Sequence, residues 1–329
     1  MQQTISVSDN SEIVEVLKNV FIVGARRSGT TWTLSLLASH PEVVGIIHSH
    51  LIKTFKSQLE WCENRDPYRS IVVGVPEENV NVHEAIADAE YYQLCRQISD
   101  AVFEKARLAK PGASVIVESQ PENIDNLDVI AKLYPDAYIL HVVRDPRSVF
   151  ASWKSVIHSW SSPDVFDNHP SGFCERWQHV MNTIRSQSKS LPHFKELQYE
   201  QLRNDGENVL QDLYRWLGLD DNIEFVRQSI SENKIDKMRD TSILPEGFFR
   251  KGRTEGWHSE LSRGEIDSIE YILQDLMDEL GYKRVNEGRV RMPGLLKRYY
   301  AARYVYRLLG RISPFRAIQS VKRKLIGGS

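Results

Sequence analysis

The segment VFIVGARRSGTTWTLSLL, residues 20–37, constrains the fold more than any other stretch of this chain. A short apolar, β-branched run ends at Gly24, a loop with two glycines and two arginines follows, and Trp32, Leu36 and Leu37 then recur at helical spacing. The pattern predicts strand, tight turn, helix. Such a turn points several backbone N–H groups at one spot, where the helix dipole also favours an anion. Gly24 and Gly29 are spaced as in G-x-x-x-x-G-K-[ST], but Thr30 stands in the lysine position. The cation that would meet a triphosphate is missing, and Arg26 and Arg27 lie inside the loop instead.

The same alternation continues along the chain. VVGII (43–47), SVIVE (114–118) and AYILHVV (137–143) read as buried strands, FKELQYE (194–200) as a further one, and residues 88–109 as an intervening helix. Continuous apolar strands separated by helices predict an α/β fold: a central, mostly parallel sheet with helices on both faces, of the P-loop-containing nucleotide hydrolase-like kind. Residues 207–219 form an amphipathic helix stopped by Gly218. Ser262 and Glu265 are spaced as a capping box at the start of another, stopped by Gly281. Trp61–Asn81 and His158–Gly172 lack periodicity and read as loops.

Three widely spaced cysteines, Cys62, Cys95 and Cys174, suggest neither a disulfide framework nor a zinc site, so a reducing compartment is expected. The first residues show no secretory pattern and no apolar run is long enough to span a bilayer, which makes the cytoplasm the expected location. Net charge is −2 but uneven: residues 283–329 hold 13 Lys or Arg against one acid, Glu287, so this tail carries +12 and the rest −14.

Four stretches together carry a resemblance. RRSGTTW (26–32) resembles the 5′-phosphosulfate loop of sulfotransferases that use 3′-phosphoadenosine 5′-phosphosulfate (PAPS). VVRDPRSVFAS (142–152) is similar to that family's 3′-phosphate motif, an arginine at a strand end and a serine eight positions later. QYEQL (198–202) resembles its Y-E-x-L segment, and FFRKGRTEGW (248–257) its R-K-G-x-x-G-x-W loop. The resemblance implies that Arg26, Arg27, Ser28, Gly29, Thr30 and Thr31 meet the 5′-phosphosulfate and that Trp32 and Tyr199 lie near the adenine. It also implies that Arg144, Ser152, Arg250, Lys251 and Gly252 meet the 3′-phosphate. It covers residues 20–282, the expected catalytic domain, between an N-terminal extension (1–19) and the basic tail (283–329). The charge pattern agrees: a donor with a phosphosulfate and a 3′-phosphate needs two anion sites about one nucleoside apart, and the chain supplies two clusters.

Sulfuryl transfer to a hydroxyl or amine by in-line displacement asks for alignment, charge stabilisation on the leaving oxygen, and removal of the acceptor's proton. Arg27, always protonated, suits the second task. Family members with an H-P pair after the loop helix carry the base about eight to eleven residues beyond it, usually as glutamate. Here His40-Pro41 is followed instead by His48 and His50 at the end of the strand VVGII. Glu118 in ESQPEN is a third candidate; Ser119 in that segment replaces a lysine common in relatives. No metal or redox group is required. The H-P segment and the style of the loop resemble those of carbohydrate and protein-tyrosine sulfotransferases as much as small-phenol ones; together with the basic tail they motivate a sugar hydroxyl, on a carbohydrate or glycolipid, as the expected acceptor. The tail places Leu295, Tyr299, Ala302, Tyr306 and Leu309 on one helical stripe, with Arg303, Arg307 and Arg311 on another. It could pack on the domain, guide a polyanionic acceptor, or attach the protein to an anionic membrane surface at the inner face. No nucleic-acid-binding module is seen. Two other functions fit less well: a P-loop phosphoryl transferase, which lacks its lysine, and a noncatalytic membrane-associated adaptor working through the tail.

Overall fold

A computed structural model describes residues 17–63, 88–156, 169–241, 254–285, 292–294, 296–298 and 300–301. The chain runs β1 (Lys18–Gly24), α1 (Thr30–Ala38), β2 (Val43–Ile47), α2 (Leu51–Glu63), α3 (Asp88–Leu108) and β3 (Val115–Ser119). A 3₁₀ turn at Pro121–Asn126 leads to α4 (Leu127–Leu133), β4 (Tyr138–Val143), α5 (Pro146–Val156), α6 (Pro170–Gln187) and β5 (His193–Gln198). The remainder is helical: α7 (Tyr199–Asn204), α8 (Gly206–Leu217), α9 (Ile223–Glu232), α10 (Ile235–Thr241), α11 (Trp257–Glu260) and α12 (Arg263–Glu279).

The five strands form one sheet in the order β2-β3-β1-β4-β5, and every pairing is parallel. Strand β1 shows why both faces are covered. Val20 and Ile22 enter one core with α1 and α8, whereas Phe21 and Val23 enter a second core with α3, α4 and α6. A strand apolar on both faces is stable only between two helical layers. A third core joins α5, α6, α11 and α12 beyond the end of β4. Because β3 and β4 lie on opposite sides of β1, the loop after β1 opens at the point where the strand order reverses, the usual ligand crevice of such sheets.

The expected α/β architecture is therefore present, with local differences. The stretch 194–200 divides: β5 ends at Gln198 and Tyr199 opens α7, where its ring packs over Gly29. Of the two expected loops, Trp61–Glu63 continues α2 and Pro170–Gly172 begins α6; their remaining residues, apart from His169, lie outside the described set. Gly218 and Gly281 end their helices at positive φ, 67° and 75°, and Ser262 and Glu265 form the full capping box. Lys110 makes a cap that sequence pattern did not show. Its ammonium donates to the carbonyls of Ala38, His40 and Val43, each at 2.7 Å, closing the end of α1 and fixing the entry to β2. Leu296 is fully buried and Tyr300 is exposed, while Leu295, Tyr299 and everything from Ala302 onward lie outside the described residues.

Candidate active site

The loop after β1 is shaped by close backbone approaches. A Cβ at Gly24 would lie 2.5 Å from the Val142 carbonyl oxygen, and one at Gly29 would lie 2.4 Å from the Tyr199 ring; their φ angles are 152° and 102°. Only glycine meets both demands at these two positions. Arg27, between them, also has positive φ, 71°. Ser28 is fully buried, its amide donates to the Ala25 carbonyl at 3.1 Å, and its Oγ has no hydrogen-bond partner among the described residues. An unsatisfied buried hydroxyl costs about 1–3 kcal/mol. An anion oxygen in the loop would offset that cost, as it would satisfy the leading amides of α1, which have no acceptor within their helix. Thr30 and Thr31 form the buried first turn of α1.

Strand β4 and helix α5 supply the second cationic cluster. Arg144 Nη1 donates to the Arg27 carbonyl at 3.1 Å, and its guanidinium lies 4.3 Å from the centroid of Tyr199. Arg27 Nε donates to Ser152 Oγ at 3.1 Å. The two clusters expected from sequence thus share one wall, with Arg27 as the bridge. Trp32 meets Tyr199 edge-on, with centroids 5.5 Å apart, and its Nε1 donates to the Asn233 carbonyl at 2.9 Å. Burial raises the Tyr199 phenol above its ordinary value, keeping the ring neutral beside Arg144 and Arg203. Arg250, Lys251 and Gly252 lie outside the described residues. The end of their segment is anchored: Ser148 Oγ donates to the Thr254 carbonyl at 2.7 Å, and Arg147 stacks 3.9 Å from the centroid of buried Trp257 while paired with Asp145 and Glu270.

The three base candidates occupy different environments. After β2 the backbone turns sharply through His48 and His50, both at positive φ, 55° and 58°, which is uncommon for non-glycine residues. His48 is half-buried, His50 is exposed, and their rings lie 5.9 Å apart. Burial lowers the His48 pKa, with the Glu122 carboxylate opposing that shift and His50 and Arg26 adding to it. Glu118 is only 1% exposed and receives hydrogen bonds from Ser49 Oγ and Asn123 Nδ2. Burial raises its pKa against those bonds. Through Ser49, Glu118 fixes the turn that carries the two histidines. His40 is buried as well. Its Nδ1 accepts from the Glu42 amide at 3.2 Å, so Nε2 carries the proton and donates to the Asp220 carbonyl at 3.0 Å. Burial lowers its pKa, which makes it a neutral tie between the end of α1 and the segment after α8.

Glu122 was not singled out from sequence. It pairs with Arg26, accepts from Gln120 Nε2 at 2.6 Å, and its charge acts on His48. Although burial pushes its carboxyl upward, Arg26 outweighs that and holds it below the ordinary range. A cavity of about 280 Å³ opens from this pair, lined by Gly24, Ala25, Trp153, Phe173, Trp177 and Arg176 among others. Arg176 pairs with Asp125, which also meets His179 Nε2 at 2.8 Å. The helical spacing of Phe173, Trp177, Met181 and Ile184 was the available signal for α6 and hence for this wall. No cluster of three or more His, Cys, Asp or Glu side chains suited to a metal occurs among the described residues.

Comparison with known proteins places this geometry in context. A family model described as the sulfotransferase family matches residues 19–222. Nodulation protein NoeE of Sinorhizobium fredii is 23% identical over 285 residues, covering 80% of this chain and 66% of that protein. A protein-tyrosine sulfotransferase of Drosophila melanogaster is 25% identical over 250 residues, covering 69% of this chain and 44% of its own length. The chain thus spans less than two thirds of either curated relative. Among solved structures, a mouse sulfotransferase complexed with PAP superimposes with a TM-score of 0.50 at 13% identity, over 87% of this chain and 89% of that one. At that identity the likeness is one of fold.

Proposed function

The chain belongs to the sulfotransferase family, and from that premise we propose that it transfers a sulfuryl group from PAPS to a hydroxyl acceptor by in-line displacement, with His48 as general base. The observation that carries this is the Arg27–Ser152 hydrogen bond. It joins the anion loop to the second cationic cluster, with Arg144 bound to the Arg27 carbonyl and the aromatic pair Trp32 and Tyr199 packed beside the loop, an arrangement that supports a donor with two anionic ends. A donor with one terminal triphosphate would use only half of that arrangement, and the loop has threonine where its lysine would be.

In this scheme the acceptor oxygen forms a bond to sulfur as the bond from sulfur to the 5′-phosphate oxygen breaks. Arg27 and the loop amides stabilise the charge left on that phosphate. The acceptor's proton passes to the His48 imidazole, a contribution of roughly 10²–10⁴-fold. Glu118 works through Ser49 as a positioning residue, and His50 stays at the solvent edge.

The cavity beside Arg26 supports one acceptor class over others. Its aromatic walls, Trp153, Phe173 and Trp177, suit the apolar face of a ring, and the Arg26–Glu122 and Arg176–Asp125 pairs suit hydroxyls around its edge. That combination supports a carbohydrate acceptor, free or on a lipid. The +12 tail supports attachment to an anionic membrane surface.

Calorimetry tests the donor site. Wild-type protein is expected to bind 3′,5′-ADP in preference to ATP, and Arg144→Ala to lose that preference. Preference for ATP would overturn the sulfotransferase assignment of the site. An acceptor panel then separates glycans from phenols, and sulfation of phenols alone would remove the carbohydrate proposal while leaving the donor site standing.

A further inference from the structure

Among the described residues, helix α3 carries a row of exposed apolar side chains beside its buried stripe. Cys95, Ser99 and Phe103 form its buried stripe, Cys95 and Phe103 packing into the core that holds α4 and Tyr134. One residue ahead of each lies a second stripe, Leu94, Ile98 and Val102, with exposures of 50%, 52% and 41%. Successive residues are about 100° apart on a helix, so the two stripes run side by side and point in different directions. Four of the eight exposed large hydrophobic side chains among the described residues lie on α3, Leu108 being the fourth. Isolated apolar residues on a surface need no explanation, but a continuous row along one helix marks a contact face.

The row is self-complementary. Ile98 is the central residue of Asp88–Leu108, with Leu94 and Val102 four positions to either side. An antiparallel copy rotated about Ile98 places Ile98 on Ile98 and Leu94 on Val102. The same rotation brings Glu90, near the N-terminal end of the face, close to Lys105 near the other end. Opposite charges meet at both ends, and the two helix dipoles oppose one another favourably. An isologous contact needs this relation of a surface to itself, and closed twofold dimers satisfy it most simply.

We propose that the Leu94–Ile98–Val102 stripe is the contact face of a homodimer in which two α3 helices pack antiparallel across a twofold axis at Ile98. The occupant is a second copy of this chain. The inference is independent of the donor and acceptor assignments, because no α3 residue lines the candidate active site.

Light scattering after size exclusion, run on the full chain across a dilution series, is expected to give twice the chain mass. Ile98→Asp is expected to give the single-chain mass with an unchanged far-ultraviolet circular dichroism spectrum. Under mild oxidation Ile98→Cys should cross-link to itself above the wild-type background, and Lys189→Cys, on the exposed turn between α6 and β5, should not. Those cysteine variants keep the test decisive if Ile98→Asp fails to fold. A single-chain mass for wild type overturns the proposal: a fall in Tm on Ile98→Asp would then place the stripe under a segment of the same chain. Association only in the presence of phosphatidylcholine vesicles would instead make it a lipid contact. A dimer that survives Ile98→Asp, with no Ile98→Cys cross-link, also overturns it by placing the contact elsewhere.

Discussion

Glu122 pairs with the loop cation Arg26, and its charge also acts on the histidine proposed as base. A carboxylate near an imidazole stabilises the protonated form and raises the histidine pKa. Removing it should therefore lower the His48 pKa further, since burial and Arg26 already push in that direction. A base works only when deprotonated, so the acid limb of kcat/KM in Glu122→Gln should move to lower pH than in wild type. An unmoved acid limb would count against His48 as the titrating base. At this scale the sequence was informative about residue type but not about environment. His48 stood ahead of His50 and Glu118 from sequence, on residue type and strand-end position alone. Burial separates them: Glu118 is sealed beneath Ser49, His50 is open to solvent, and His48 is half-buried, with the charges of Glu122 and Arg26 acting on it.

At the scale of elements, the base-bearing turn is held from below by two ties, Glu118 through Ser49 and Lys110 through the entry to β2. Lys110 is the more instructive. Burial lowers the pKa of its ammonium, yet three carbonyls at 2.7 Å surround it. In Lys110→Met the stem remains and the donors vanish, which leaves carbonyls at the end of α1 without their partner. The expected loss is roughly 1–3 kcal/mol, the cost of stranding buried polar groups, read as a lower urea midpoint at unchanged m-value. A midpoint within error of wild type would show that water replaces the ammonium freely. Periodicity and turn chemistry located β2 without error and β1, β3, β4 and α8 to within one or two residues, because those patterns are local. They left α2, α4, α5, α6, α7, α9, α10 and α11 unassigned: in α6 the signal was present, in Phe173, Trp177, Met181 and Ile184, and most of the others are short helices completed by tertiary packing.

For the whole molecule, charge is divided between an acidic body and a basic tail, −14 against +12. A tail of that charge near an anionic bilayer gains about 1 kcal/mol per basic residue at the surface, and the gain decays within a Debye length. The full chain is expected to co-sediment with phosphatidylserine vesicles at low ionic strength and to be released by salt. Equal binding to neutral phosphatidylcholine vesicles, unaffected by salt, would remove the electrostatic role of the tail. No helix among the described residues is long and apolar enough to cross a membrane. By itself the sequence determined the α/β class, the strand–loop–helix that begins it, and the family to which its motifs point. Each of these is written in local spacing, since strand, turn and cap preferences act over a few residues. Only the tertiary structure decided that Arg27 reaches Ser152, that Glu122 pairs with Arg26, and that aromatic side chains from α5 and α6 wall a cavity beside the loop. Those relations join residues tens to more than a hundred positions apart. Their geometry is set by how the two helical layers close on the sheet, which no short window of sequence contains.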